Sequence, residues 1–159
     1  MSEILKLNNV SKDYGIKGFK TRVLNSISLS VYEGEFLSIM GPSGAGKTTL
    51  LNLLSTLDKP TKGEIILDGI DLTKVKNKEL SNIRKDKIGF IFQDYSLLDN
   101  MTLMDNIALP LALGRKRSKE IEEKVIKMAE VFGLKDHLKK YPYELSGGQK
   151  QRGAAARAL

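Results

Sequence analysis

The 159 residues predict an α/β fold centred on a strand, a glycine-rich turn and a helix. Three observations carry that prediction. Residues 35–40, EFLSIM, are almost continuously apolar for their length, as expected of a strand covered on both faces. GPSGAGKT follows at once at positions 41–48, and after it Leu50, Leu51, Leu53, Leu54 and Leu57 recur at helical spacing.

Taken in order, the first half reads as strands. In NSISLSV the apolar Ile27, Leu29 and Val31 alternate with Ser26, Ser28 and Ser30, the period of a half-buried strand. EIILDG and IGFIF are further short strands, with Asp68-Gly69 as a tight turn. From Thr102 onward the periodicity becomes helical. Pro110 should end or kink a helix that begins near Leu103. In SKEIEEKVIKMAEVFG, Ser118 is the expected N-cap, Gly133 the stop, and Ile121, Val125, Met128, Ala129 and Phe132 the buried stripe. Met101, Met104 and Met128 read as core filler. These spans divide the chain into a β-rich core over 1–93, a helical part over 94–145 and a final helix over 146–159.

Composition sets the class. Hydrophobic residues at 41% and charged ones at 28% are an ordinary globular balance, and the length suits one domain. With no cysteine, disulfides and thiolate metal sites are excluded, and a reducing, cytoplasmic setting is expected. The segment MSEILKLNNV has no apolar run of the kind a signal peptide needs, and no stretch approaches the roughly 20 residues of a membrane span. The net charge of +7 gathers in 74–87, in RKRSK (115–119) and in KDHLKK (135–140). Such runs favour anionic partners, or simply form solvated faces.

Gly41, Gly46, Lys47 and Thr48 fit G-x-x-x-x-G-K-[ST] between an apolar segment and an amphipathic helix. Glycines let consecutive N–H groups point inward, the helix start adds positive potential, Lys47 reaches the outer phosphates, and the Thr48 hydroxyl is placed for Mg²⁺. The ligand this predicts is a nucleoside triphosphate with its metal. A guanine-specific site is disfavoured: NKEL (77–80) has Leu where a base-reading Asp belongs, and no apolar strand leads into Asp86 of DKIG.

The tail narrows the choice. In ELSGGQKQRGAAARAL, Ser146 can cap a helix while Gly147 and Gly148 leave first-turn N–H groups unobstructed, which makes a second anion site. LSGGQ downstream of such a loop resembles the signature of the ATP-binding cassette (ABC) ATPases. That resemblance implies a P-loop NTPase core with an antiparallel β edge and an ABC-specific helical subdomain. It implies ATP and Mg²⁺ as cofactors, with Gly41, Pro42, Ser43, Gly44, Ala45, Gly46, Lys47, Thr48 and Thr49 cradling the phosphates. Ser146, Gly147, Gly148 and Gln149 would act in trans on the nucleotide of a second copy, so a homodimer is expected.

By the same resemblance Tyr14, in VSKDYG, takes the place of the adenine-stacking aromatic, and Gln93 that of the glutamine touching Mg²⁺ and the attacking water. Lys47 and Gln93 are then the catalytic residues, with no general base in the chain. STLDKPTKGEI and NMTLMDNIALPL are most similar to bacterial exporters and extractors acting on lipoproteins, macrolides or bacitracin. An integral membrane permease is the implied partner, with the subunit peripheral on the inner face of the plasma membrane and nucleic acid not expected. Two other readings are a soluble ATPase of this type acting on ribosomes or DNA, and a non-catalytic nucleotide-binding fragment.

Two departures from the family pattern stand out. Gly153 replaces an apolar branched residue, which weakens its helix by about 1 kcal/mol. No strand with a Walker B aspartate and catalytic glutamate follows the signature helix, so the sequence reads as a fragment or a truncated product that binds ATP but hydrolyses it poorly. The apolar edge beside the P-loop strand would then be open to aggregation or capture. His137 precedes the signature in a lysine-rich stretch and reads as a solvated side chain, not a substitute for a switch histidine.

Overall fold

The computed structural model describes residues 2–16, 18–114 and 117–159, so Arg115 and Lys116 of the RKRSK run lie outside the described residues. Tertiary contacts divide the chain between Ile88 and Gly89.

The first unit is a sheet of four antiparallel strands in the order β2-β1-β3-β4, namely β1 (Glu3–Ile16), β2 (Phe19–Tyr32), β3 (Lys62–Leu67) and β4 (Ile70–Asp71). The alternation read in NSISLSV lies in β2. Asp68 and Gly69 close the β3–β4 hairpin between Leu67 and Ile70, with φ of 48° and 76°, the left-handed pair that matches strand twist. One face of the sheet packs on α1 (Lys47–Leu54) and α2 (Asn77–Lys87), giving a core of Leu7, Val10, Leu24, Leu50, Leu53, Ile65, Leu72 and Leu80. Arg84 of α2 donates from Nη1 to the Thr56 carbonyl (3.1 Å) and hydroxyl (3.0 Å), tying α2 to the residues just after α1. α2 takes up most of the lysine-rich run at 74–87 and the NKEL segment, and Asp86 sits in its last turn.

Two expected strands are not formed. Residues 35–40 and 88–92 carry no strand pairing among the described residues. Instead of being covered on both faces, Phe36 is 95% and Met40 87% exposed. An apolar run becomes a strand only where another strand takes up its N–H and C=O groups on each side; none does so here. Two leucines of the expected helical stripe are exposed as well: Leu51 within α1, and Leu57 beyond the helix's end at Leu54.

The second unit is helical: α3 (Leu103–Leu113), α4 (Ser118–Val131) and α5 (Gly147–Ala158), with single 3₁₀ turns at Lys135–His137 and Pro142–Glu144. Its core joins Leu103, Ile107, Val125, Ala129, Leu134, Leu145 and Ala156, with Met104, Met128, Ile121 and Phe132 packed around them. Pro110 does not end α3, which continues to Leu113. The lost N–H lies near the C-terminal end, where the turn closes on the Pro110 and Leu111 carbonyls through Gly114 (3.2 and 3.1 Å). Ser118 is the first residue of α4 rather than its cap; Arg117 holds that position. Gly133 ends α4 at φ 62°, as expected.

Gly153 is buried, and a Cβ there would stand 2.7 Å from Leu103 Cδ1. The glycine that looked like a weakness in α5 is what lets it approach α3.

Candidate functional site

In the first unit the glycine loop runs into α1 through Gly46, whose φ of 88° is left-handed. A side chain there would be strained, and its Cβ would meet Leu24 Cδ2 at 2.8 Å and the Val23 carbonyl at 3.1 Å. Gly46 therefore seats the loop against β2. Having no side chain, it caps nothing, so the first-turn N–H groups of Lys47, Thr48 and Thr49 have no intrahelical acceptor. Gly41, Pro42, Ser43, Gly44 and Ala45 are all exposed. The Lys47 ammonium folds back onto the carbonyls of Gly41 and Pro42, each at 2.8 Å. This is an exposed, amide-rich loop whose lysine rests on neutral carbonyl acceptors, a chemistry that suits a polyphosphate. Thr48 is exposed in the first helical turn, where its hydroxyl can reach a metal held by that polyphosphate.

Tyr14, near the end of β1, is 41% exposed. Its hydroxyl donates to Asp58 Oδ2 at 2.7 Å, and the Lys12 ammonium lies 4.8 Å from the ring centroid. Lys12 also bonds Asp58 Oδ1 (2.6 Å) and the Lys59 carbonyl (2.7 Å). Accepting that phenol's proton, Asp58 raises the Tyr14 pKa above its ordinary value; burial adds to the rise and the nearby Thr49 hydroxyl opposes it. Burial alone would raise the Asp58 pKa, but the bonds from Lys12, Tyr14 and the Lys59 amide outweigh it and hold the carboxyl below the usual range. The phenol is thus clamped at one end while part of its ring stays open to a planar ligand.

In the second unit Gln93 lies exposed in a turn. Ser146 caps α5, as expected, through a reciprocal pair: the Gln149 amide N–H donates to Ser146 Oγ (3.3 Å) and the Ser146 N–H to Gln149 Oε1 (2.8 Å). The S-x-x-Q spacing of the motif is therefore a capping box. Gly147 and Gly148 have no intrahelical acceptor for their N–H groups. A Cβ at Gly147 would meet nothing within 4 Å, and one at Gly148 only Arg152 Nη1 at 3.7 Å. Packing within the chain does not require these two glycines, whereas it does require Gly46 and Gly153.

Tyr14 and residues 41–49 lie in the first unit, with Tyr14 beside the Thr49 hydroxyl, whereas Gln93 and the Ser146, Gly147, Gly148 and Gln149 group lie in the second. His137 is not a solvated side chain: its Nε2 lies 2.9 Å from Gln149 Nε2, and its Nδ1 is buried. Four residues escaped the sequence reading. Lys12 and Asp58 anchor Tyr14. Asn106, fully buried, accepts from the Leu98 N–H (2.7 Å) and donates to the carbonyls of Leu98, Met101 and Thr102. Arg157 donates to Tyr95 and Ser96. A polar residue within an apolar helical stripe was the available signal for Asn106; nothing local marked the others. Among the described residues no group of three or more His, Asp or Glu gathers as for a metal, and no helix is long and apolar enough to cross a membrane.

Residues 24–159 match the family model described as ABC transporter. The chain is 50% identical over 156 residues to the bacitracin export ATP-binding protein BceA of Halalkalibacterium halodurans, covering 98% of this chain and 62% of that protein. To the methionine import ATP-binding protein MetN of Haemophilus influenzae it is 42% identical over 156 residues, covering 98% of this chain and 45% of that one. Among solved structures it is similar to the dimeric post-hydrolysis state of the ATP-binding cassette MJ0796 bound to ADP and Pi, with a TM-score of 0.91, 41% identity, and 98% and 69% of the two chains covered. The chain thus spans about three-fifths of the bacitracin relative's length, 62%.

Proposed function

The chain belongs to the ABC transporter family of ATP-binding proteins, and from that premise we propose that it is the ATP-binding part of a transporter whose permease is a separate membrane protein. Binding and hydrolysis of ATP would drive closure of two copies and, through the permease, export or extraction of a substrate. The greater identity to a bacitracin export protein, 50% against 42% for a methionine import protein, favours outward transport. The subunit would work at the cytoplasmic face of the membrane.

The observation that carries the reading is the pair of glycines at the start of α5. A Cβ at Gly147 would meet nothing within 4 Å, and one at Gly148 only the Arg152 side chain at an ordinary 3.7 Å. Their smallness is explained if an outside group comes close to the backbone N–H groups there, and the γ-phosphate held by a second copy is such a group. Two identical chains then each contribute one loop and one helix start, an isologous pairing. The dimeric state of the MJ0796 cassette supports the same arrangement.

Each residue has a part in this reading. The Lys47 ammonium leaves the Gly41 and Pro42 carbonyls for the β- and γ-phosphates, exchanging two neutral acceptors for charged ones. The first-turn amides of α1 hold the same groups. Tyr14 stacks on the adenine without reading its hydrogen-bonding edge, its ring fixed by Asp58 and Lys12. Thr48 and Gln93 would hold Mg²⁺, which supplies charge neutralisation across the phosphates. None of these residues is a general base. General-base assistance is worth about 10²- to 10⁴-fold, so a polypeptide of these 159 residues should bind ATP and turn it over slowly.

Equilibrium binding of a fluorescent ATP analogue, paired with sizing in ATP, tests the division of roles. Lys47→Ala should weaken nucleotide binding by about 10- to 100-fold, the worth of a charged hydrogen bond. Ser146→Arg should spare binding and abolish ATP-dependent association. Equal effects of both variants on monomer binding would overturn the assignment.

A further inference from the structure

We propose that His137 is a positioning residue for the signature motif: a neutral imidazole that accepts from the Gln149 side chain and so locks the cap at the start of α5. The functional meaning rests on the reading that α5 faces a second copy's nucleotide; the contact itself does not.

The tautomer follows from bonding around one amide group. Ser146 N–H needs an acceptor, so the Gln149 oxygen faces it, at 2.8 Å. Gln149 Nε2 is then the atom turned to the histidine, 2.9 Å from Nε2 of the ring. An amide NH₂ only donates, so the ring nitrogen must carry a lone pair, and in a neutral imidazole the proton then sits on Nδ1. Nδ1 is buried and has no hydrogen-bond partner in the structure. The ring therefore accepts a buried, unpartnered N–H in order to present Nε2 to Gln149. A side chain serving only as a solvated or packing group would turn its second nitrogen to water.

Protonation converts Nε2 from acceptor to donor, facing another donor. Gln149 must then rotate, and its oxygen leaves the Ser146 N–H. The charged side chains on the neighbouring elements offer no replacement: Lys135 of the same turn is paired with Glu130 at the end of α4 (2.5 Å), and Arg152 of α5 is donated to the Phe132 carbonyl (3.0 Å). Lys150 is a cation; Glu144, in the turn before Ser146, already accepts from the Tyr141 N–H (2.7 Å), and Asp136 belongs to the ring's own 3₁₀ turn rather than to α5. Loss of the pairing frees the first turn of α5, the turn whose Gly147 and Gly148 amides are assigned to the phosphate.

The test uses the full chain without nucleotide. Long-range ¹⁵N–¹H correlation of the labelled imidazole should show the Nδ1–H tautomer near neutral pH, and amide exchange should show the Gln149 N–H protected. At neutral pH, protection at Gln149 in the wild type should exceed that in His137→Leu by about fivefold or more, the worth of a cap. His137→Gln, whose amide oxygen can accept in place of Nε2, should keep the wild-type protection. An Nε2–H tautomer, or protection in His137→Leu equal to the wild type's, overturns the proposal, and the tautomer decides alone if His137→Leu does not fold. Lys47-dependent ATP binding is measured separately: its absence would sink the proposed function while leaving the His137–Gln149 contact standing.

Discussion

Arg157, in the last turn of α5, donates to the Ser96 carbonyl at 2.7 Å across sixty-one positions of sequence, and to the Tyr95 carbonyl at 3.0 Å. Both acceptors have positive φ, 44° at Ser96 and 64° at Tyr95, a costly conformation for residues with side chains. One guanidinium therefore fixes an otherwise unfavourable bend two and three residues after Gln93. Burial pulls the Arg157 pKa down from its usual value, yet a guanidinium stays charged at any working pH.

Replacing Arg157 by Lys removes the planar fork that reaches two carbonyls at once. We expect Arg157→Lys to destabilise the second unit by about 1–3 kcal/mol, the range for a lost charged hydrogen bond that leaves a buried acceptor unmet. Urea unfolding measures the loss, and amide exchange over residues 93–98 should rise with it. An unchanged unfolding midpoint would show that the bend holds without the clamp.

Gly153 and Leu103 form a coupled pair. Gly153→Val should cost about 1–3 kcal/mol by overpacking, despite the better helix propensity of valine, because Leu103 is fully buried and its Cδ1 would lie 2.7 Å from the new Cβ. Leu103→Ala alone should cost about 2–5 kcal/mol. The double variant should be more stable than the sum of the two costs predicts, a coupling that thermal or urea unfolding of the four proteins can measure.

Asp58 makes stability pH-dependent. Its folded pKa lies below the ordinary value, so the carboxylate contributes stability that is complete above the unfolded pKa, near about 4, and is lost as pH falls through the folded one. Asp58→Asn should remove that acid-side loss. The same variant should return the Tyr14 phenol toward its ordinary titration, since the hydrogen bond to Asp58 is the main cause of its rise. An ultraviolet phenolate titration follows the second effect and acid unfolding the first.

What could be read from sequence were the features whose cause is local. Asp68-Gly69 needs only two residues that accept left-handed φ, Gly133 one, and the Ser146 cap depends on residues three apart. Strand formation at 35–40 and 88–92 was misread because apolar character reports a wish for burial and not the partner that satisfies it. His137 was misread because its environment comes from α5, beyond any local window. Gly153 looked unfavourable by propensity, and only the approach of α3 explains it. The clamp from Arg157 and the Asp58–Tyr14 bond join residues far apart in the chain, which no periodicity encodes.

The bareness of residues 35–40 gives the molecule a chemical marker of its own. Met40, 87% exposed, directly precedes Gly41, and a thioether in water oxidises to the sulfoxide far more readily than one packed in a core. Peroxide labelling followed by peptide mass analysis would therefore record, at the doorstep of the glycine loop, whether anything has come to cover that strip.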